Sequence, residues 1–279
     1  MTVDLHIHST ASDGALTPRE IVDLAASCDV TTIALTDHDS VDGVEQAIAA
    51  GAGAGITVIP GIELSAETPD GRDTHILGYF IDDRDPDLLG HLARLRDTRV
   101  ERAHKMVDAL AHAGIPVRFE DVLAQARSGA VGRVHIALAL VEAGAAPSVS
   151  AAFSQLIGRD GPYYLRKPVP SPEEVIATIR AARGIAVLAH PAVSGVLDLV
   201  PELACAGLEG VEAYHSQQDS DTAQRIASAA AEAGLIVTGG SDFHGLPGSH
   251  TSLGDGGTPD AVVADLFARA GDRAQRTGR

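Results

Sequence analysis

The chain has 279 residues, which sets a ceiling of roughly two domains. Apolar residues make up 45%, too many for a disordered chain, and no apolar run approaches the ~18–20 residues a membrane helix needs. Twenty-one Lys and Arg against 38 Asp and Glu give a net charge of −17, so the chain lacks the field that draws in duplex DNA.

The opening segment Met1-Thr2-Val3-Asp4-Leu5-His6 carries charge and reads as a strand, not as a basic-then-apolar leader, so a cytoplasmic location is expected. Val3–His8 is the first predicted strand. Thr17-Pro18-Arg19-Glu20 is a helix start, with Thr17 as N-cap and Glu20 closing a capping box, and the helix should run to about Cys28. Thr31–Thr36 is a second strand. A helix follows from Val41 to Ala52, ended by Gly51-Ala52-Gly53-Ala54-Gly55, a run that lacks the Lys-Ser/Thr of a phosphate loop. Ile56–Ile62 and His75–Ile81 are further strands.

From about Asp85 to Pro170 the alternation stops. Leu88, Leu92, Leu95, Met106, Val107 and Leu110 mark one long amphipathic helix, and shorter helices are predicted near Glu120–Ala126, His135–Ala143 and Ser150–Ile157. This reads as an all-helical insertion, residues 86–170, between two parts of an α/β domain, 1–85 and 171–279. Alternation resumes at Ser171-Pro172-Glu173-Glu174, a second capping box. Strands are predicted at Ile185–Ala189, Leu208–Ala213 and Leu235–Thr238, with helices near Leu197–Ala206, Asp221–Ala233 and Pro259–Ala270 and a frayed tail, Gly271–Arg279. Seven strands with helical crossovers favour a parallel barrel or a wound sheet.

Cys28 and Cys205 form no CxxC pair, so a disulfide scaffold and a thiolate zinc site are excluded, and no asparagine exists to accept an N-glycan. The histidines are more telling. His6 and His8 close the first strand, two apart and therefore on one face, with Asp4 on that face too. Asp13 follows in the loop. Asp37-His38-Asp39 follows the second strand and Glu63 the third. His75 lies at the fourth, His190 ends the fifth, and Asp242-Phe243-His244 follows the seventh. One His-x-His alone reads equally well as ordinary strand histidines. Recurrence at the same topological position does not, because strand ends in α/β barrels meet at one mouth. Imidazoles and carboxylates gathered there suit divalent cations.

The segments Asp4-Leu5-His6-Ile7-His8-Ser9, Thr36-Asp37-His38-Asp39, Gly61-Ile62-Glu63, His75-Ile76-Leu77-Gly78, Ala189-His190-Pro191 and Gly240-Ser241-Asp242-Phe243-His244 resemble, in order, the motifs of the PHP (polymerase and histidinol phosphatase) superfamily. The resemblance implies a distorted seven-stranded (β/α) barrel, with the helical insertion as a cap, and two or three divalent ions: manganese, iron or zinc, with magnesium less suited to so much histidine. It implies one metal on His6, His8, Glu63 and Asp242, a second on Glu63, His75 and His190, and a third on Asp13, His38 and His244. The eight-stranded amidohydrolases would want a metal-bridging lysine, and the only lysines here, Lys105 and Lys167, lie in the insertion. Within the superfamily, His8–Gly14 and Gly132–Ala137 are similar to a bacterial subfamily that removes the 3′-phosphate of nucleoside 3′,5′-bisphosphates, some of whose relatives trim RNA from the 5′ end. Val134 and Ala139 depart from that subfamily, where proline and a second arginine are expected.

The implied activity is hydrolysis of a phosphate monoester on a small nucleotide, with a metal-bridging hydroxide as nucleophile. Short RNA cut 5′→3′, a histidinol-phosphate substrate and a non-catalytic PHP module are the alternatives; no membrane or duplex DNA partner is expected. Arg133 and His135, opening an insertion helix, are candidate phosphate ligands, or a surface arginine and an ordinary helix histidine. His215, after the sixth strand, is a candidate phosphate ligand or leaving-group acid, or a hydrogen-bonded loop residue. Asp37 is a candidate catalytic residue that orients the site together with Asp39, unless they cap the next helix. Asp4 is either a partner of a ligand histidine or structural. His91, His104, His112 and His250 read as surface or packing residues. Tyr163 and Tyr164 could stack a base, or serve as core or hinge.

Overall fold

The structure is a computed structural model, and it describes residues 2–126, 131–166, 169–246 and 248–276, with side chains to residue 271. It contains two compact units. The first comprises residues 1–89 and 169–279, the second residues 90–168.

The first unit is a seven-stranded sheet in the order β1 to β7, each strand beside its sequence neighbour. The strands are β1 (Thr2–Ile7), β2 (Val30–Leu35), β3 (Thr57–Glu67), β4 (Asp73–Tyr79), β5 (Ile185–Leu188), β6 (Gly210–His215) and β7 (Ile236–Gly240). Curvature brings the two edges together. Asp242 N–H donates to His6 O at 2.9 Å, and His8 N–H donates to Phe243 O at 2.9 Å. The result is a nearly closed barrel. One buried cluster draws Val3, Ala34, Ile59, Leu77 and Val187 from five successive strands, which only the inner side of a curved sheet permits.

The expectation of uniformly parallel strands fails at β4. It pairs antiparallel with both β3 and β5, while every other pairing is parallel. The cause is local. A tight turn joins β3 to β4, with Thr68 N–H donating to Arg72 O and Gly71 N–H to Thr68 O, leaving no room for a crossover helix. Reversal places the first residues of β4, not its last, beside the carboxyl end of β3: His75 pairs with Ser65.

The capping boxes form as expected at Thr17/Glu20 and Ser171/Glu174. The helix ends two residues later than predicted, at Ala54, and is capped by Gly55, whose φ of 72° suits a residue without Cβ. The helix expected at Leu197–Ala206 splits into a 3₁₀ turn, Leu197–Leu199, and a helix, Val200–Ala206, with Pro201 in its first turn. The frayed tail expected from Gly271 is instead helical to Arg276, where the last helix, Asp260–Arg276, ends; residues 277–279 lie outside the described residues.

The second unit is entirely helical among its described residues, built on the 23 residues it holds of the 27-residue helix Pro86–His112, with Phe119–Ala126, Arg133–Glu142 and Val149–Ala152. The last continues as a π-turn, Phe153–Ile157. It has its own core around Met106, Leu110, Val122, Ile136, Leu140 and Ile157.

Candidate metal centre

The site grows from one carboxylate. Glu63 is fully buried on β3 and touches imidazoles from four other segments. His6 Nε2 and His8 Nε2 approach Oε2 at 3.3 Å each, and His38 Nδ1 approaches it at 3.0 Å. On Oε1, His75 Nδ1 lies at 2.9 Å and His190 Nε2 at 3.3 Å. A second carboxylate, Asp242, lies 3.1 Å from His8 Nε2 and 3.6 Å from His6 Nε2. A third, Asp13, lies 3.4 Å from His244 Nε2 and 3.7 Å from His8 Nδ1. All nine residues singled out as candidate ligands therefore meet at one end of the barrel.

These contacts are close but mostly off the line a hydrogen bond needs. His6 Nε2, both ring nitrogens of His8, His38 Nδ1, His75 Nδ1 and Glu63 Oε2 are buried without a hydrogen-bond partner. Buried polar atoms are rarely left so. Ligand atoms of four groups lie within 4.8 Å of one another: His8, Asp13, His38 and His244; His6, Glu63 and His190; His6, His8 and Asp242; His38, Glu63 and His75. A convergent set of orphaned imidazole and carboxylate atoms fits divalent cations. The grouping differs in detail from the three implied sets: His8 also joins Asp13, His38 and His244, and His38 also joins Glu63 and His75.

Protonation follows the same logic. Burial opposes charge on His8, but Asp242 and Glu63 outweigh it and lift the ring to about 10. Burial likewise opposes charge on His6, and Glu212, Glu63 and Asp242 raise it well above the ordinary value. Burial would push Glu63 up, yet His38, His6 and His75 hold it well below the usual carboxylate range. Without metal, protons sit where cations would.

Backbone geometry aims these side chains. The loop after β1 folds back through Ser12 N–H and Gly14 N–H, which both donate to Ser9 O, and Ala15 N–H donates to His244 O. A Cβ on Gly14 would collide with the His8 backbone. Asp39, His190 and Asp242 have φ of 48°, 29° and 56°, left-handed values that non-glycine residues rarely adopt.

A model of the PHP domain matches residues 4–237 of this sequence. The chain belongs to the PHP-domain family. PHP relatives resemble it along nearly all its length. A protein of Chromobacterium violaceum named 3′,5′-nucleoside bisphosphate phosphatase is 36% identical over 274 residues, 95% of this chain and 92% of that one. A 5′-3′ exoribonuclease of Haemophilus influenzae is 36% identical over 86% of this chain and 89% of that one. A phosphoribosyl 1,2-cyclic phosphate 1,2-diphosphodiesterase of Eggerthella lenta is 34% identical over 91% and 98%. Among solved structures, a Chromobacterium violaceum protein named an amidohydrolase, with bound sulfate, superposes with a TM-score of 0.81 at 33% identity, covering 96% of this chain and 97% of that one. A Bifidobacterium adolescentis protein, provisionally named a metal-dependent phosphoesterase, superposes at 0.85 with 33% identity, covering 96% of each chain.

His215 is buried, and its Nδ1 accepts from Gln217 N–H at 3.1 Å, so the neutral ring carries its proton on Nε2. That Nε2 lacks a hydrogen-bond partner and faces Asp242 Oδ2 at 4.0 Å. Burial keeps His215 below the ordinary imidazole pKa. Asp37 does not cap a helix; the next one begins after Gly43. Its carboxylate accepts from Ser9 N–H and Ser9 Oγ at 2.7 Å each and from Ser12 Oγ at 2.6 Å, gripping the loop that carries Asp13. Asp39 Oδ1 accepts from Ser65 N–H at 3.2 Å.

Asp4 is a strap, not a histidine-ring partner. It accepts from Ser241 N–H, Ser241 Oγ, Gly254 N–H and His6 N–H, tying β1 to the chain after β7. A register shift in β1 between Asp4 and Ile7 breaks the simple two-residue alternation. Arg133 and His135 open a helix of the second unit. The Arg133 guanidinium lies 5.6 Å from the Phe153 ring centroid and 5.4 Å from that of Tyr164, and His135 Nδ1 accepts from Gly132 N–H. Tyr164 also lies under Arg102, and Tyr163 packs against the helical core. His104 and His112 are exposed, as is His250. Sequence reasoning gave Glu212 no role, although its carboxylate lies 3.1 Å from His6 Nδ1. A glutamate set between Val211 and Ala213 in the strand Gly210–His215 is the only local signal for it.

Proposed function

We infer that this chain is a metal-dependent phosphoesterase, and we propose that it removes the 3′-phosphate from nucleoside 3′,5′-bisphosphates. The carrying observation is the cage of orphaned imidazole and carboxylate atoms around Glu63. Its specific direction comes from the 36% identity, over 95% of the chain, to a protein named 3′,5′-nucleoside bisphosphate phosphatase. We propose that the cage holds two or three ions, with Mn, Fe or Zn favoured over Mg because imidazole is a poor magnesium ligand. When bound, divalent ions polarise phosphoryl oxygens and acidify water at neutral pH.

The chain's own residues do the rest. His6, His8, Glu63 and Asp242 form one pole of the site, and Asp13, His38 and His244 the other. His244 Nδ1 donates to Asp242 O at 3.0 Å, leaving its Nε2 lone pair to ligate. His215 presents Nε2–H to a phosphoryl oxygen, a role suited to a ring that stays neutral. Asp37 acts through the loop it grips. Arg133 is proposed as a phosphate ligand on the resemblance alone, its planar fork being matched to that anion. Sulfate, the shape of phosphate, is bound in the Chromobacterium violaceum structure.

A second reading is 5′→3′ exoribonuclease action on short RNA, favoured by the Haemophilus influenzae relative at the same 36% identity. The test uses metal-stripped protein with each ion restored, on adenosine 3′,5′-bisphosphate and on a short 5′-phosphorylated oligoribonucleotide. Faster turnover of the bisphosphate, with Arg133→Ala raising its KM, supports the proposal. Turnover of the oligonucleotide alone supports the second reading, and no metal-dependent activity on any phosphate ester overturns both.

A further inference from the structure

Glu212 sits on β6 with no exposed surface. Its Oε1 and Oε2 lie 3.1 and 3.2 Å from His6 Nδ1, and Oε2 also accepts from His190 N–H at 2.9 Å. A carboxylate can only accept. The contact therefore places the His6 proton on Nδ1 and turns the Nε2 lone pair toward Glu63, 3.3 Å away. The same carboxylate pins His190 where its φ is 29°, a conformation that needs an outside hold. Ring orientation on β1 and backbone shape after β5 thus depend on one side chain from a third strand.

We propose that Glu212 is the positioning residue of the metal centre, fixing the tautomer of His6 and the placement of His190. This rests on the metal-dependent reading above. Glu212 acts only through the two histidines, because both of its oxygens are taken up by them. Glu212→Gln keeps the volume and can keep an oxygen at the Oε2 position, but it loses the negative charge and replaces the Oε1 acceptor with an NH₂ donor that faces the His6 Nδ1–H.

Metal binding to stripped protein, followed by calorimetry with Mn²⁺ and with Zn²⁺, is the test. Glu212→Gln should weaken affinity roughly 10–100-fold while far-UV circular dichroism stays native, the usual cost of losing a ligand's orienting partner. Val211→Ala, a buried change on the opposite face of the same strand, should lower stability and leave affinity intact. Affinity unchanged in Glu212→Gln, or lost equally in Val211→Ala, overturns the proposal. Should Glu212→Gln not fold, ¹⁵N-histidine spectra of zinc-loaded wild-type protein decide: the His6 signal, assigned by its absence in His6→Gln, must show Nδ1–H. An Nε2–H His6 refutes the role. Wild-type protein that takes up no metal sinks the phosphoesterase reading together with this one, whereas normal wild-type uptake with an unaffected Glu212→Gln sinks only the positioning role.

Discussion

Adding a single methyl group at Gly240 tests whether the barrel seam sets the site. Gly240 ends β7 against β1, and a Cβ there would lie 2.9 Å from His6 Cα and closer still to His6 Cβ and N. Carbon atoms pack at about 3.5–4.0 Å, so Gly240→Ala must push the strands apart by roughly 1 Å. Overpacking of that kind costs about 1–3 kcal/mol. The seam is also held by the 2.9 Å bonds from Asp242 N–H to His6 O and from His8 N–H to Phe243 O. Their loss adds about 1 kcal/mol each. A total near 3–5 kcal/mol corresponds to a fall in Tm of about 10 °C for a protein of this size. Because His6 and His8 ride on β1, a 1 Å displacement should also cut kcat/KM roughly 100-fold. Gly53→Ala is the matched control. It lies in the helix Val44–Ala54, and nothing comes within 4 Å of its added Cβ, so it should stabilise by about 0.5–1 kcal/mol. Differential scanning calorimetry and steady-state kinetics on both variants decide. A Gly240→Ala protein with wild-type Tm and rate would refute the claim that the seam places His6.

Four further outcomes follow from the same geometry. Metal-stripped protein should melt highest between about pH 4.5 and 6.5. His8, raised from 6.5 to about 10, contributes stability that is full below 6.5 and lost as pH climbs toward 10, while the lowered Glu63 contributes stability lost on acidification below 4.5. Metal affinity should run the other way and tighten with rising pH as imidazolium protons leave, and a pH-independent affinity from pH 6 to 8.5 would contradict this. Asp37→Ala removes three short hydrogen bonds to a buried carboxylate and should cost about 3 kcal/mol or more, with weaker metal retention at the Asp13 pole, read by elemental analysis after dialysis. His215→Gln should keep its full metal complement and lose roughly 100-fold in kcat/KM at every pH from 6 to 9, whereas a loss confined to the acid end of the profile, vanishing as pH rises, would mark a protonated acid instead.

Much of this was legible because two signals agreed. Strand endings rich in His and Asp make no sense as core, and their recurrence at successive strand ends points to one mouth. Reversal of β4 was not legible: His75–Ile81 has the same alternation in either direction, and only the tightness of the turn at Thr68–Arg72 decides it. Asp4 misled for a related reason. Its spacing from His6 suggested a shared face, but the register shift in β1 sends its carboxylate to Ser241 and Gly254. Glu212 was hidden because its partners lie 206 and 22 positions away, beyond any local pattern. Asp37 stands out by its place after β2, yet its grip on Ser9 and Ser12 depends on a loop path that sequence does not encode locally.

The left-handed backbones at Asp39, His190 and Asp242 bear on how this scaffold can be engineered. Such conformations cost about 1–3 kcal/mol in a residue bearing Cβ, and glycine would be free of that cost. Directed evolution for heat resistance alone would therefore drift toward glycine at all three positions and deliver a tougher but inert barrel. Libraries screened jointly for thermal tolerance and phosphate release would hold them fixed and improve the protein elsewhere.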